Sequence, residues 1–160
     1  MTEDSLISEY TLPNGIKILH KYRSGEVAHL ALMANTGMRD ELPDENGLAH
    51  FVEHMLFKGT KKRKAYHVLC CLENVGGELN AYTTKEETCI HASFLKEYYN
   101  KAIDLFADVA FNSTYPEHEV EKEKDVILDE INSYLDNPAE EIYDEFENNL
   151  YKGHEMGRNI

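Results

Sequence analysis

The chain opens with segments in which apolar and polar residues alternate. Residues 6–12 and 16–22 show the two-residue period of a β-strand, and Pro13-Asn14-Gly15 between them is typical of a turn. A third apolar stretch covers residues 27–33 and ends before Asn35-Thr36-Gly37. This pattern predicts that the chain begins as a β-meander of three strands.

Helical spacing replaces the alternation after a polar loop. Within residues 48–56 the apolar positions recur three or four residues apart, which predicts a helix. A second helix is predicted over residues 65–75, where Gly76-Gly77 closes it. Two short apolar segments, residues 79–82 and 88–94, then indicate two further strands around a polar turn.

The last part of the chain has a helical pattern. One helix is predicted from near Lys96 to residue 111, and another from Pro116 to about residue 136, because proline is favoured in the first turn of a helix. The segment Asn137-Pro138-Ala139-Glu140 has the form of a capping box that opens a last helix, which ends near residue 150. The order of strands, helices, strands and helices predicts an α+β fold with helices packed on a mainly antiparallel sheet.

The length of 160 residues corresponds to about one domain. Residues 151–160 contain no pattern that closes a sheet or caps a helix. The second helical block therefore lacks the strands that follow the first. We expect residues 1–160 to form a single domain that is incomplete at its C-terminus.

Charge and composition narrow the choice of partners. Thirty acidic residues against sixteen basic ones give a formal net charge of −14. Nucleic acids and anionic lipid surfaces require a basic face, so we expect neither as a partner. No apolar run approaches the roughly 18 residues that span a bilayer, and the acidic N-terminus has no secretory pattern. We therefore expect a cytoplasmic protein, unless a leader has been removed.

Cysteines and a run of basic residues have simple structural interpretations. Cys70, Cys71 and Cys89 are an odd number without C-x-x-C spacing, which favours buried thiols over a disulfide scaffold or a zinc knuckle. Residues 58–64 contain five basic side chains. Because the chain is acidic overall and no aromatic residues are interleaved, this run predicts a solvated loop and not a nucleic-acid patch.

The segment with the clearest chemical content is His50-Phe51-Val52-Glu53-His54. Residues four apart lie one turn apart on one face of a helix, so His50 and His54 can direct both imidazoles at one metal ion. Glu53 can reach the same centre and is a candidate general base. Two histidines at this spacing also occur often by chance, and a catalytic zinc needs a third protein ligand from elsewhere in the chain.

The order His50-x-x-Glu53-His54 is the inverted zinc signature of the inverzincins. Its context, Asn46 to Thr60, resembles the pitrilysin family of zinc metallopeptidases. Gly76 to Thr83 is similar to the glycine-asparagine-alanine strand of that family, Glu123 to Ile131 to its distal glutamate helix, and Leu12 to Gly15 to its opening hairpin. The resemblance covers almost the whole chain, and its separated blocks occur in the same order.

This resemblance implies a zinc-dependent endopeptidase with the α+β fold of mitochondrial processing peptidase. His50, His54 and Glu130 would be the zinc ligands. Glu53 would be the general base for the attacking water. Glu123 lies two helical turns before Glu130 and would assist the site by orienting a histidine ligand.

The resemblance also implies how substrate binds. Asn80 and Ala81 would contact a peptide that adds a strand to an exposed edge. A second homologous domain or subunit would complete the site, so we expect this chain to bind zinc but to cleave poorly alone. Residues 117–147 contain thirteen acids and two lysines; if they border the site, they would favour basic peptides. The alternative is a catalytically inactive family member that serves as a structural or partner subunit.

Overall fold

The structure, a computed structural model, describes residues 7–158 except the side chain of Glu140. Its strands are β1 Ile7–Thr11, β2 Lys17–Lys21, β3 Val27–Ala34, β4 Glu78–Thr83 and β5 Thr88–Leu95. Its α-helices are α1 Leu48–Leu56, α2 Ala65–Glu73, α3 Tyr99–Asn112, α4 Glu117–Leu135 and α5 Pro138–Leu150. The predicted α+β class is confirmed, and each predicted element is present; residue 6 of the first predicted strand lies outside the described residues.

The strands of the described residues form two separate antiparallel sheets. β1 and β2 make a hairpin, whereas β3, β5 and β4 form a second sheet in that order. β3 pairs with β5 along its full length, from Val27 opposite Leu95 to Ala34 opposite Thr88. The predicted three-strand meander is therefore wrong. The inward side chain of Leu30 lies opposite Ala92 of β5, and this pairing places the apolar face of β3 against the core.

The core lies between the sheet β3–β5–β4 and the helices α2 and α3. In β5 the buried residues Ile90, Ala92 and Phe94 alternate with the half-buried His91 and Ser93, as the pleat of a strand requires. The helices contribute apolar side chains on their inner faces: Val68, Leu72, Ala102, Leu105, Phe106 and Val109. Burial of one such large side chain contributes about 1.5–3 kcal/mol. This packing holds the edge strand β4 beside α1.

The ends of the helices follow local sequence signals. The side chain of Asn137 accepts a hydrogen bond from the N–H of Ala139 at 3.3 Å, and Pro138 is the first residue of α5. Pro116 is the N-cap residue of α4 instead of lying in its first turn. The helix predicted from Lys96 begins as a 3-10 turn, Lys96–Tyr98, before α3. No described helix is both long enough and apolar enough to cross a bilayer.

The cysteines are free thiols, in agreement with the absence of a disulfide pattern. Cys89 is buried in β5. Cys70 and Cys71 on α2 are half-buried, so the prediction of buried thiols is correct in full only for Cys89.

Residues 151–158 fold back onto the loop before α1. A 3-10 turn, Glu155–Gly157, lies against another, Met38–Asp40. The guanidinium of Arg158 donates a hydrogen bond to the backbone oxygen of Glu41 at 2.6 Å. These tertiary contacts support the loop that leads into α1.

Candidate metal centre

Two histidine rings on α1 face the same point. The Nε2 atoms of His50 and His54 lie 3.2 Å apart, and the ring planes are inclined at 84°. Both side chains are largely shielded, with 17% and 20% of their surface exposed. Helical spacing thus brings the two imidazoles together as the sequence predicts.

A carboxylate of α4 completes this group. Oε2 of Glu130 lies 3.4 Å from Nε2 of His54 and 3.9 Å from Nε2 of His50. A point equidistant from the three atoms is about 2 Å from each, which is the length of zinc–nitrogen and zinc–oxygen bonds in proteins. Two imidazoles and one carboxylate are a donor set of catalytic zinc sites, in which the fourth position stays open. His50, His54 and Glu130 therefore fit a zinc ion.

Glu123 supports this group through a hydrogen bond to His54. Its side chain is only 6% exposed, and Nδ1 of His54 donates a hydrogen bond to Oε1 at 2.9 Å. Because an ionised carboxylate can only accept, Nδ1 carries a proton, and Nε2 is the ring nitrogen that faces Glu130. Burial alone would raise the pKa of the Glu123 carboxyl, but Lys58 and His54 outweigh it and hold the pKa below its ordinary value.

Glu53 lies on α1 between the two histidines in sequence and is half-buried. Its carboxylate has no hydrogen-bond or ion-pair partner within residues 7–158. A carboxylate without a partner is free to accept a proton, so the structure leaves this group available for the role that the resemblance implies.

A nearly buried acid caps the start of α1, just before His50. The carboxylate of Glu41 accepts hydrogen bonds from the N–H of Ala49 at 2.7 Å and of Gly47 at 2.9 Å. Gly47 has a φ of 88°, in the left-handed region that favours glycine. A carboxylate here satisfies free N–H groups and complements the helix dipole. Glu41 therefore fixes the position where the helix with the two histidines begins.

A buried acid on α3 anchors the segment that follows α1. Asp108 is 1% exposed and accepts hydrogen bonds from Thr60 Oγ1 at 2.7 Å and from the Arg63 guanidinium at 2.5 Å. Burial alone would raise the pKa of Asp108, but the hydrogen bonds from Thr60 and Arg63 hold it below its ordinary value. The solvated loop predicted for residues 58–64 is therefore wrong for Arg63, and also for Lys58, which pairs with a buried acid.

The strand β4 forms an edge of its sheet and lies beside α1. It pairs with β5 on one side, with Asn80 opposite His91, and no other described strand pairs with it. The side-chain oxygen of Asn80 accepts the N–H of Ala81 at 2.9 Å. The candidate substrate-binding residues thus lie on an edge strand next to the helix of the metal centre.

Sequence patterns did not identify Glu41, Lys58 or Asp108. Glu41 and Lys58 lie among other charged residues, and nothing local distinguishes them from solvated side chains. Asp108 does carry a signal, since it lies three residues after the buried Leu105 on the apolar face of α3. A single acid on such a face requires a partner when it is buried.

Most of the chain matches a known family of peptidases. The family model described as Insulinase (Peptidase family M16) matches residues 17–160. The chain belongs to the insulinase family of peptidases. The predicted resemblance to the pitrilysin-type, M16-like peptidases is therefore confirmed.

Two bacterial proteins illustrate the similarity. The chain is 39% identical over 153 residues to a Bacillus subtilis protein named as the uncharacterized zinc protease YmxG, and the match covers 95% of this chain and 37% of YmxG. It is 42% identical over 151 residues to an uncharacterized zinc protease of Rickettsia bellii, with coverages of 93% and 36%. The chain thus spans little more than a third of these relatives. Their names and the His-His-Glu group both support zinc as the cofactor.

Two solved structures of proteases share the fold. A protease from Helicobacter pylori superposes with a TM-score of 0.90 at 27% identity, covering 95% of this chain and 37% of that one. The periplasmic protease PqqL from Escherichia coli gives a TM-score of 0.88 at 25% identity, covering 98% of this chain and 18% of PqqL. Both structural neighbours are much longer than this chain.

Proposed function

We propose that this chain is the zinc-binding catalytic part of a metalloendopeptidase that hydrolyses peptides or unfolded segments. The observation that carries the proposal is the convergence of His50, His54 and Glu130 on a point about 2 Å from each donor atom. Membership of the insulinase family and the names of its relatives support the same reaction. In this proposal the three side chains hold the metal, and Glu123 fixes the ring of His54.

Glu53 acts as the general base in this reaction. A zinc ion held by His50, His54 and Glu130 would act as a Lewis acid on the scissile carbonyl and would lower the pKa of the attacking water to about 7. The unpartnered carboxylate of Glu53 accepts the proton of the attacking water. It then delivers that proton to the leaving amine, which completes the cleavage of the peptide bond.

The substrate adds to the open edge of β4 as an extended strand. The main-chain groups of Asn80 and Ala81 lie on that edge strand, beside the helix with the histidines. A bound strand would gain hydrogen bonds to the edge of β4, independent of the peptide's sequence. The acidic helices α4 and α5 favour basic peptides among the substrates.

The rest of a longer protein, a second homologous domain or subunit, completes this site. The helices α4 and α5 expose large apolar side chains on the faces that the described residues leave uncovered. These are Val126, Leu128, Leu135, Ile142, Tyr143, Phe146 and Leu150. Because the relatives are much longer than this chain, we expect these faces to be covered in the longer protein and this chain alone to cleave slowly.

The experiment is to compare the purified protein with its Glu53→Gln variant, with Glu73→Gln on the exposed end of α2 as the matched control. Zinc content and the hydrolysis of a mixture of quenched fluorescent peptides are measured on all three. We expect one zinc per chain in each, and a rate at least about 100-fold lower in the Glu53 variant. Equal rates for wild type and Glu53→Gln would refute the proposed base. Zinc binding without any cleavage that depends on Glu53 would favour the non-catalytic subunit instead.

A further inference from the structure

Lys58 connects the end of α1 to the buried acid behind the metal centre. It lies two residues beyond Leu56, and its N–H donates a hydrogen bond to the backbone oxygen of Met55 at 3.1 Å. Its Nζ is 2.5 Å from Oε2 of Glu123, and 27% of its side chain is exposed. Although it belongs to a basic run, Lys58 is engaged in an ion pair with an acid that is almost fully buried.

The two oxygens of Glu123 serve different partners. Oε1 accepts from Nδ1 of His54 at 2.9 Å, and Oε2 accepts from Nζ of Lys58. The carboxylate is therefore held at both ends, in a place where little water can substitute for a lost partner. Without Lys58, one buried oxygen would have no donor, and the carboxylate would gain by turning away from His54 towards water.

We propose that Lys58 is a positioning residue of the metal centre: it holds the carboxylate of Glu123 and, through it, the ring of His54. Among residues 7–158, the ammonium of Lys58 forms its ion pair with Glu123, so its effect on the metal centre passes through Glu123. This inference rests on the proposed function, because it requires that a metal binds at His50, His54 and Glu130.

The test measures zinc affinity on the purified protein by competition with a chromogenic chelator. Removal of a side chain that orients a metal ligand costs about 10–100-fold in metal affinity. We expect Lys58→Met to raise the dissociation constant for zinc by about 10-fold, at the lower end of that range because Lys58 acts through another side chain. Lys58→Arg keeps a cationic donor and should stay within about threefold of wild type.

Two control comparisons distinguish an effect on the position of His54 from a general loss of protein stability. Lys62→Met is the matched control, because Lys62 lies in the same segment with 63% of its side chain exposed, and it should not change zinc affinity. In a Glu123→Gln background, Lys58→Met should raise the dissociation constant for zinc by less than about a further twofold. The Glu123 carboxylate, through which Lys58 acts on His54, is already absent there. The absorption spectrum of the Co²⁺-substituted protein, which reports the geometry of the ligands, should change in Lys58→Met and not in Lys62→Met.

The outcomes distinguish this inference from the proposed function. If wild type binds no zinc, the proposed function fails. If wild type binds zinc and Lys58→Met has the same affinity and Co²⁺ spectrum, only the role of Lys58 is overturned. If Lys58→Met still lowers zinc affinity by a full 10-fold in the Glu123→Gln background, the role of Lys58 is overturned as well. Should Lys58→Met not fold, Lys58→Gln replaces it in the same comparisons, with the same outcomes.

Discussion

Glu130 and His54 lie on different helices, yet Oε2 of the first is 3.4 Å from Nε2 of the second. The distance is that expected between two ligands of one zinc ion when each bond is about 2 Å long. Since 54% of the Glu130 side chain is exposed, its position reflects the packing of α4 against α1 and not burial of its own. This convergence of a local pair with a distant acid is the basis of the first prediction.

Removing the carboxylate charge of Glu130 should weaken zinc binding strongly. We expect Glu130→Gln to raise the dissociation constant for zinc by at least about 100-fold. Mutation of residues that only hydrogen-bond to the ligands already lowers metal affinity by about 10–100-fold. Asp129→Asn changes the neighbouring exposed acid of α4, and its zinc affinity should stay within about twofold of wild type. Chelator competition measures both. Unchanged affinity in Glu130→Gln would mean that another group is the third ligand.

Peptide binding should depend on Asn80. We expect the Glu53→Gln variant to bind a peptide without cleaving it, so its affinity for an extended basic peptide can be measured by fluorescence anisotropy. Adding Asn80→Ala should weaken binding by about 3–10-fold, the value of one hydrogen bond. Asn148→Ala, on an exposed position of α5, provides the same substitution as a control. Equal effects of the two substitutions would exclude a specific role of the Asn80 side chain in peptide binding.

Loss of the cap on α1 should destabilise the protein. Glu41→Gln keeps the shape of the side chain but leaves only one oxygen to accept the two N–H groups of Gly47 and Ala49. We expect the free energy of unfolding to fall by about 1–2 kcal/mol in the metal-free protein, measured by urea denaturation. Glu73→Gln should leave it unchanged, because that side chain is exposed at the end of α2.

The ion pair of Asp108 should contribute to stability in a pH-dependent way. Asp108→Asn should lower the free energy of unfolding at pH 7 by about 2–3 kcal/mol, because Arg63 loses a buried anionic partner. The pKa of Asp108 is lowered in the folded state, so its contribution is fully present above the unfolded pKa of about 3.9 and is lost as the pH falls through the folded value.

Urea denaturation between pH 7 and pH 3 checks this sign. The difference between wild type and Asp108→Asn should be constant down to about pH 4 and should shrink below it. A difference that grows as the pH falls would contradict the lowered pKa. Asp125→Asn on α4, an exposed acid, serves as the control and should follow wild type throughout.

Local patterns predicted the elements well and their pairing less well. The periods of two and of about 3.6 residues indicate which face of a strand or helix is buried. The predicted bounds of the helices therefore agree closely with those in the structure. The pattern does not state which strand lies beside which. Only the tertiary structure shows that β3 pairs with β5 and not with β2, because this pairing depends on where the apolar faces of α2 and α3 lie.

By itself, the sequence determined the fold class and the pair of imidazoles, because four-residue spacing on a helix is a local property of the backbone. Glu130 was reached through a resemblance, and its distance to the histidines became visible only in three dimensions. The tertiary structure alone decided that Lys58 holds Glu123, that Glu41 caps α1 and that Asp108 holds Arg63. Those three contacts join residues from separate elements or loops, and a charged side chain shows in sequence neither its burial nor its partner.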